Sequence, residues 1–217
     1  PPPPPPPPPP PTPPPPPPTP PLFPYTTLFR SLTTLRGNLG LLNRDLPSEE
    51  RDDILADMVD ESDRLIRLVN DLLRLAHADA GRSLTKEPIE IHLVIEETAR
   101  QVRLLDPNRQ INLDVPAELE IIGDRDAFKQ VVMILLDNAI KHSGRDIDVQ
   151  AHQVDRGLEL SVRDYGEGIA PEDLPHVFDR FYRGEDRVIV EGFGLGLPIA
   201  KALVEGMGGE ISIESML

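Results

Sequence analysis

The sequence predicts an α+β protein in which a long antiparallel helical hairpin precedes a region of mixed helices and strands. Residues 32–80 contain two apolar stripes that repeat at heptad spacing, which indicates packed helices. From residue 82, helical segments are interspersed with short runs of alternating apolar and polar residues, which indicate strands. Two glycine-bearing loops, residues 164–168 and 192–197, lie in this second region and are its candidate ligand-binding segments.

Residues 1–31 differ in composition from the rest of the chain. The first 24 residues hold 20 of the 27 prolines, and such a run forms a polyproline II rod without a core. A rod of this kind is typical of a linker or of a ligand for a proline-binding module. We interpret residues 1–31 instead as a non-native, disordered leader, because residues 22–31 resemble translated sequencing adapter, and we exclude them from the fold.

The hairpin is predicted from two consecutive apolar stripes. In the first helix, leucines follow one another at steps of three and four residues, at Leu32, Leu35, Leu39, Leu42 and Leu46. Pro47 ends this helix, Ser48 is placed to cap the second, and the second helix ends near Gly81. Its stripe is too wide for two helices to bury, so two hairpins are expected to form a four-helix bundle. Residues 32–81 are therefore predicted to be a homodimerisation domain.

Residues 82–217 are predicted to form the second domain. Helices are expected at residues 91–105, from the Asp124 cap to about Lys141, and at residues 196–207. Strands are expected at residues 111–115, 118–122, 146–153, 158–163 and 210–214.

The totals exclude several classes of protein. The first 31 residues carry one charge, Arg30, so the remainder has a net charge of −16 against −15 for the whole chain, which argues against a general nucleic-acid surface. There is no cysteine, which fits a reducing cytoplasm. No run of residues approaches the length of about 20 apolar residues that a membrane helix needs.

Four stretches of the second domain occur in a specific order. A helix with Asp137-Asn138-Ala139-Ile140-Lys141-His142-Ser143 precedes the first glycine loop, Asp164-Tyr165-Gly166-Glu167-Gly168. Phe178-Asp179-Arg180-Phe181-Tyr182-Arg183 lies before the second glycine loop, Gly192-Phe193-Gly194-Leu195-Gly196-Leu197. Together they resemble the N, G1, F and G2 boxes of bacterial two-component sensor histidine kinases, in the ATPase superfamily shared with gyrase, Hsp90 and MutL. The resemblance, from about Leu32 onwards, implies a two-layer α/β sandwich of the Bergerat type, with the last strand missing.

The resemblance also implies a binding site for ATP and Mg²⁺. For the metal and phosphates, it implies that Asn138 holds Mg²⁺ against the triphosphate, that Lys141 and Arg183 contact phosphate oxygens, and that His142 lies against the nucleotide. For the base, it implies that Asp164 accepts from adenine N6, that Gly166 and Gly168 allow close approach, and that Ile169 packs under the ring. The second glycine loop opens a helix, whose free N–H groups suit an anion. The β- and γ-phosphates are therefore assigned to the backbone of Gly192, Gly194, Leu195, Gly196 and Leu197, with residues 184–191 as a lid.

Simpler interpretations and one departure from the family accompany these assignments. Asn138 could be a hydrogen-bonded core amide, and the Asp-x-Gly-x-Gly string could be an ordinary turn. Ile134 stands where these kinases usually carry a second Asn and where hydrolytic relatives carry a Glu. Mg²⁺ therefore loses a possible ligand, and direct ATP hydrolysis loses its base. The second glycine loop is not followed by Lys-Ser or Lys-Thr, which excludes a Walker A loop.

The resemblance also requires an acceptor histidine on the first hairpin helix. The five histidines are His77, His92, His142, His152 and His176, and none precedes an acid and a Pro at the family spacing. Residues 29–31, Phe-Arg-Ser, stand where the acceptor box is expected. We therefore expect the box to be missing and this chain to bind ATP without autophosphorylating.

The sequence is identified as the truncated kinase core of a sensor histidine kinase, with a hairpin at 32–81 and a catalytic domain at 82–217. The implied reaction moves the γ-phosphoryl of ATP to a histidine and then to an Asp of a response regulator receiver domain, with Asn138 and Lys141 as catalytic residues. The alternatives are a degenerate nucleotide-binding dimerisation module and an anti-sigma-type serine kinase. We expect a cytoplasmic chain, no nucleic-acid partner, and membrane anchoring only through segments outside this chain.

Overall fold

The hairpin is the first part of the fold. The computed structural model describes residues 23–44, 46–79, 84–104, 106–155, 157–184 and 192–216. Helix α1 spans Phe23–Leu42 and helix α2 spans Ser48–Asp79, and the two helices pack against each other. Among the helices of these residues, none has both the length and the apolar character that crossing a membrane requires.

Helix α1 begins earlier than the sequence predicted. Residues 23–31 were expected to belong to a disordered leader, whereas they form the first turns of α1. Pro24 is tolerated because the first helical N–H has no partner in any helix, and residues 25–31 contain neither Gly nor Pro. Leu28 packs against the cluster around Leu68, and Ser31 is buried, so tertiary contacts hold this extension. The prediction for residues 1–22 falls outside the described residues.

Within its described residues, the second domain contains two small sheets and three α-helices. The strands are β1 (Glu87–Glu90), β2 (Ile111–Asp114), β3 (Glu120–Gly123), β4 (Ile147–Val154) and β5 (Gly157–Arg163); the helices are α3 (Ile91–Arg103), α4 (Arg125–His142) and α5 (Gly196–Gly206). Strand β1 pairs antiparallel with β3, while β4 lies between a parallel β2 and an antiparallel β5. A short 3₁₀ helix spans Leu174–His176.

One apolar core joins the helices to the three-stranded sheet. The inward-facing residues of β4, Ile147, Val149 and Ala151, are buried because side chains alternate between the two faces of a strand. They pack with Val132 and Leu136 of α4 and with the buried face of α3. The result is the predicted two-layer arrangement, which places α4 directly over the sheet.

Two elements of the second domain differ from the sequence prediction. Strand β1 was not predicted, since Glu87–Glu90 contains one apolar residue besides proline. Residues 210–214 were predicted to be a strand, but within the described residues they pair with none of the five strands. Residues 177–181 form turns, and Phe181 adopts a positive φ of 65°.

Candidate functional site

Helix α4 is the element around which the predicted site residues gather. Asp124 caps it, because its carboxylate accepts from the Ala127 N–H at 2.9 Å. Asn138 is half-buried in the last part of the helix. The ammonium group of Lys141 is exposed and lies 2.6 Å from the Asp137 carboxylate, one turn earlier. A phosphate group from solvent could therefore bind the Lys141 ammonium by replacing the Asp137 carboxylate.

The first glycine loop passes close to the end of α4. A Cβ on Gly166 would lie 2.3 Å from the His142 carbonyl oxygen, so only glycine fits there. The loop is held locally by Asp164, whose carboxylate accepts from the Gly166 N–H at 2.9 Å. Asp164 itself is exposed, which leaves its second oxygen accessible to a ligand.

The far side of this loop rests on the last described residues of the chain. Gly168 has φ +81°, and a Cβ on it would lie 2.5 Å from the carbonyl oxygen of Met216. The N–H of half-buried Ile169 donates to the Ser215 hydroxyl at 2.8 Å. Residues 215–216 therefore support the loop through side-chain and packing contacts.

Tyr165 is a loop residue that sequence reasoning did not single out. Its hydroxyl donates to the Asp148 carboxylate of β4 at 2.6 Å, and the Asn112 amide of β2 donates to the same carboxylate at 2.8 Å. These two hydrogen bonds lower the pKa of Asp148, and the same carboxylate raises the pKa of Tyr165. No periodicity or motif points to this contact, because it joins side chains from three separate strands or loops.

The second glycine loop is fixed by close backbone packing. Gly194 has φ +67°, and a Cβ on it would lie 2.5 Å from the Tyr182 carbonyl oxygen. Its own carbonyl accepts from the Phe181 N–H at 2.9 Å. Gly196 begins α5, and a Cβ there would lie 3.4 Å from the Ile134 side chain of α4. The backbone N–H groups at the start of α5 thus lie beside α4.

The hairpin also reaches this loop. Leu68 and Leu75 of α2 are buried against Phe193, Leu195 and Ile199 in one apolar cluster. The guanidinium of Arg64 lies 5.5 Å from the centre of the Phe193 ring. Sequence reasoning did not predict this contact, although Phe193 is an apolar residue in a glycine loop.

Asp71 brings α2 close to the charged end of α4. Burial raises the pKa of Asp71, and the neighbouring Asp137 carboxylate adds to that rise, while Arg74 and Lys141 oppose it. Asp71 and the Asp137–Lys141 pair therefore belong to one electrostatic environment, which the sequence did not reveal.

The structure thus places one glycine of each predicted loop against α4. Gly166 packs on the His142 carbonyl oxygen and Gly196 packs on the Ile134 side chain, and both of these residues belong to α4. Leu195 is buried in the apolar cluster, so its backbone alone remains a candidate for phosphate contact. Leu197 is half-buried in the first turn of α5, Gly192 is exposed with φ +153°, and Arg183 is half-buried before the predicted lid. Lid residues 185–191 lie outside the described residues.

The donor atoms present test whether Mg²⁺ fits. Within the described ranges, no group of three or more His, Cys, Asp or Glu side chains is placed to hold a metal ion. Asn138 offers an amide oxygen, whereas Ile134 offers no donor and packs in the cluster with Leu68. These residues do not fit a metal held by protein alone. They fit Mg²⁺, which keeps several waters and binds largely through a nucleotide's phosphates.

Two family models match the chain. The model described as "Histidine kinase-, DNA gyrase B-, and HSP90-like ATPase" matches residues 123–217. The model described as "His Kinase A (phospho-acceptor) domain" matches residues 30–81. The prediction that the phosphoacceptor box is missing is therefore contradicted, because the match to the phospho-acceptor domain begins at residue 30. His77 is the histidine within the matched range.

Individual proteins agree with the family models. The "Signal transduction histidine-protein kinase/phosphatase MprB" of Mycolicibacterium smegmatis is 36% identical over 193 residues, which are 84% of this chain and 39% of that protein. This chain thus spans about two fifths of that relative. The solved "Mycobacterial sensor histidine kinase MprB" is 33% identical, with a TM-score of 0.51 over 57% of this chain and 81% of that chain.

A second solved structure covers more of this chain. The structure titled "Crystal structure of ShkA full-length in complex with AMPPNP" has a TM-score of 0.63 and 27% identity, over 89% of this chain and 44% of that chain. Its match covers both the hairpin and the second domain, which the two family models match separately. This chain therefore belongs to the sensor histidine kinase family, with a phospho-acceptor domain followed by a histidine kinase-like ATPase domain.

Proposed function

We propose that this chain is the kinase core of a two-component sensor, which binds Mg-ATP and moves its γ-phosphoryl group to a protein histidine. One observation carries the proposal. The two glycine loops, far apart in sequence, both contact α4 within the helical segment that bears Asn138 and Lys141. The first loop and α4 also carry exposed polar groups of the right kind, the Asp164 carboxylate and the Lys141 ammonium.

Each group has a role in this proposal. Asp164 accepts from the exocyclic amine of adenine, and Ile169 packs under the ring. Lys141 and Arg183 neutralise phosphate oxygens, and the N–H groups at the start of α5 bind the same charge. Mg²⁺, held by Asn138 and by the nucleotide, would neutralise the charge that develops during transfer. Transfer then rests on positioning and charge, since the chain offers no general base at Ile134.

Calorimetric titration with ADP tests nucleotide binding. We expect a dissociation constant below about 1 mM with Mg²⁺ present. Asp164→Ala should weaken binding at least about tenfold, because a hydrogen bond to the base is lost. Asp155→Ala is the matched control, since Asp155 is an exposed aspartate beyond the far end of β4. Asn138→Ala should remove the effect of Mg²⁺ on affinity. Absence of binding by the unaltered chain would overturn the proposal.

Labelled ATP tests the transfer reaction. The chain is incubated with γ-labelled ATP alone and with a separately prepared phospho-acceptor hairpin of the M. smegmatis relative. Acid-labile label on either polypeptide supports histidine kinase activity, and peptide mapping identifies the acceptor. Subsequent movement of that label to a receiver-domain Asp would extend the proposal to a response regulator. Nucleotide binding without label on either polypeptide would favour a nucleotide-binding module instead.

We further propose that the hairpin forms a homodimer. Helix α2 carries apolar residues that stay about half exposed within the described chain. Their exposed fractions are 45% at Leu55, 60% at Val59, 57% at Ile66, 47% at Val69 and 52% at Leu73. A second hairpin would bury them as a four-helix bundle. Sedimentation should show a dimer that Ile66→Glu converts to a monomer, whereas Asp53→Ala leaves it intact. A monomeric unaltered chain would refute this.

The cytoplasmic location and the membrane anchoring of a longer parent protein stay predictions.

A further inference from the structure

The attachment of the first glycine loop to the sheet has an unusual feature. The ladder between β4 and β5 ends at the pair Asp148 and Arg163. Asp164, the next residue, therefore leaves the sheet without a ladder bond of its own. The contact that follows is made by side chains, because the Tyr165 hydroxyl donates to the Asp148 carboxylate at 2.6 Å. This hydrogen bond joins the loop to β4 two residues beyond the last backbone pair.

The surroundings of Tyr165 keep this hydrogen bond in place. Asp148 also accepts from the Asn112 amide of β2 at 2.8 Å, so its carboxylate is fixed on the side away from the loop. The guanidinium of Arg163 lies 5.0 Å from the centre of the Tyr165 ring. The Tyr165 and Asn112 hydrogen bonds lower the pKa of Asp148, which keeps the acceptor ionised near neutral pH. A charged acceptor makes a stronger hydrogen bond than a neutral one.

The position of Tyr165 in the loop links this hydrogen bond to the candidate base-binding residue. Tyr165 lies between Asp164, which accepts from the Gly166 N–H at 2.9 Å, and Gly166, which has no space for a Cβ against the His142 carbonyl. The loop is thus held on one side by α4 and on the other by β4. Releasing the β4 side would leave the Asp164 end of the loop held by its own turn and by the packing of Gly166 on α4, without a side-chain anchor to the sheet.

We propose that Tyr165, held by Asp148, is a positioning residue that orients the Asp164 carboxylate and thereby sets selectivity for purines carrying an exocyclic amine. This inference rests on the proposed nucleotide-binding function. Tyr165 needs no contact with the nucleotide. Its hydrogen bond to Asp148 sets the orientation of the Asp164 oxygen that does not bond Gly166. The hydrogen bond therefore affects the binding of ligands that can donate to that oxygen.

Selectivity between two nucleotides distinguishes positioning from a general structural role. Calorimetry measures the affinities of ADP and of purine riboside diphosphate, which lacks the exocyclic amine, for the unaltered chain and for Tyr165→Phe. We expect the variant to bind ADP about three- to tenfold more weakly, the range that follows from losing one partly exposed hydrogen bond. Its affinity for the analogue should stay within about twofold, so the ratio of the two affinities falls.

Variants of Asp148 complete the experiment. Asp148→Ala should lower the ratio as Tyr165→Phe does, and the double variant should lower it no further, because both changes remove one interaction. Asp148→Asn keeps an oxygen acceptor for the hydroxyl and should restore most of the ratio. Asp155→Ala, an exposed aspartate beyond the other end of β4, is the control and should leave the ratio unchanged. Thermal unfolding checks that each variant is folded.

The outcomes separate the inference from the function on which it rests. An unaltered chain that binds neither nucleotide overturns the proposed function. An unaltered chain that prefers ADP, with an unchanged ratio in folded Tyr165→Phe or Asp148→Ala, overturns this inference alone. If Tyr165→Phe does not fold, the Asp148→Ala and Asp148→Asn pair decides the question by the same ratio.

Discussion

At the scale of single residues, Gly194 is where a side chain is least tolerated in the second glycine loop. Its φ of +67° is a left-handed conformation that costs L-residues about 1–2 kcal/mol. A Cβ there would also lie 2.5 Å from the Tyr182 carbonyl oxygen, so Gly194→Ala must displace the loop. We expect ADP affinity to fall at least about tenfold in calorimetry, since displaced N–H groups no longer converge on the phosphates.

Gly208 provides a matched control for that prediction. It also has a positive φ, +83°, but no atom lies within 4 Å of where its Cβ would be, and it follows α5 at the end remote from the loop. Gly208→Ala should therefore lower the free energy of unfolding by a similar backbone cost and leave ADP affinity unchanged. Equal loss of affinity in both variants would show that backbone strain, rather than loop displacement, weakens binding.

Individual residues also show what the sequence could and could not predict. Gly166 and Gly168 were predicted to allow close approach of a ligand. In the structure, a Cβ on Gly166, Gly168 or Gly194 would lie within 2.5 Å of a carbonyl oxygen of the chain itself. Ile134 was predicted only as an absent ligand, whereas the structure shows it packed with Leu68 and beside Gly196. Tyr165 was not predicted at all, because its partner is 17 residues away on another strand.

At the scale of elements, the cap of α4 joins two segments. The Asp124 carboxylate accepts from the Ala127 N–H at 2.9 Å and from the N–H and hydroxyl of Thr85 at 3.0 and 2.9 Å. It therefore fixes α4 to the chain that leads out of the hairpin. Asp124→Ala should lower the free energy of unfolding by about 0.5–2 kcal/mol, as measured by urea denaturation. Asp126→Ala, in the same turn but exposed, is the control for the lost charge.

The cap also predicts a pH dependence. Partial burial opposes ionisation of Asp124, but the hydrogen bonds from Ala127 and Thr85 outweigh it and hold its pKa below the ordinary value of 3.8. A lowered pKa in the folded state stabilises the fold above the unfolded value and loses that contribution as pH falls through the folded value. The destabilisation by Asp124→Ala should therefore be constant near pH 7 and shrink below about pH 4. A constant difference down to pH 2 would contradict it.

Elements were predictable where a repeat or a cap marked them. The heptad leucines identified both hairpin helices, and Asp124 identified the start of α4, because these signals are local. Strand β1 was not predicted, because it is a strand only through its pairing with β3, which lies 30 or more residues later in the sequence. The predicted strand at residues 210–214 has an alternating pattern, but pattern alone does not supply a partner strand.

At the scale of the whole molecule, the hairpin and the second domain share an apolar cluster that neither stripe nor motif predicted. Heptad analysis predicted a wide apolar stripe on α2, but it could not divide that stripe between a second hairpin and α5. The structure makes that division. Leu68 is 1% exposed against α5, whereas Leu73 is 52% exposed. One helix therefore presents two apolar surfaces, one buried inside the chain and one that stays exposed.

The shared cluster predicts that α5 and the second glycine loop depend on the hairpin for their stability. Leu68→Ala removes a buried side chain at the cluster centre, a change that typically costs about 2–5 kcal/mol. We expect amide hydrogen exchange to accelerate in α5 and in Phe193–Gly196, which pack on Leu68, while β4 amides in the other core stay protected. Leu73→Ala makes the same truncation on the exposed side of α2 and should leave α5 unchanged. Unaltered exchange in α5 of Leu68→Ala, or equal acceleration in Leu73→Ala, would show that the two domains hold their folds independently.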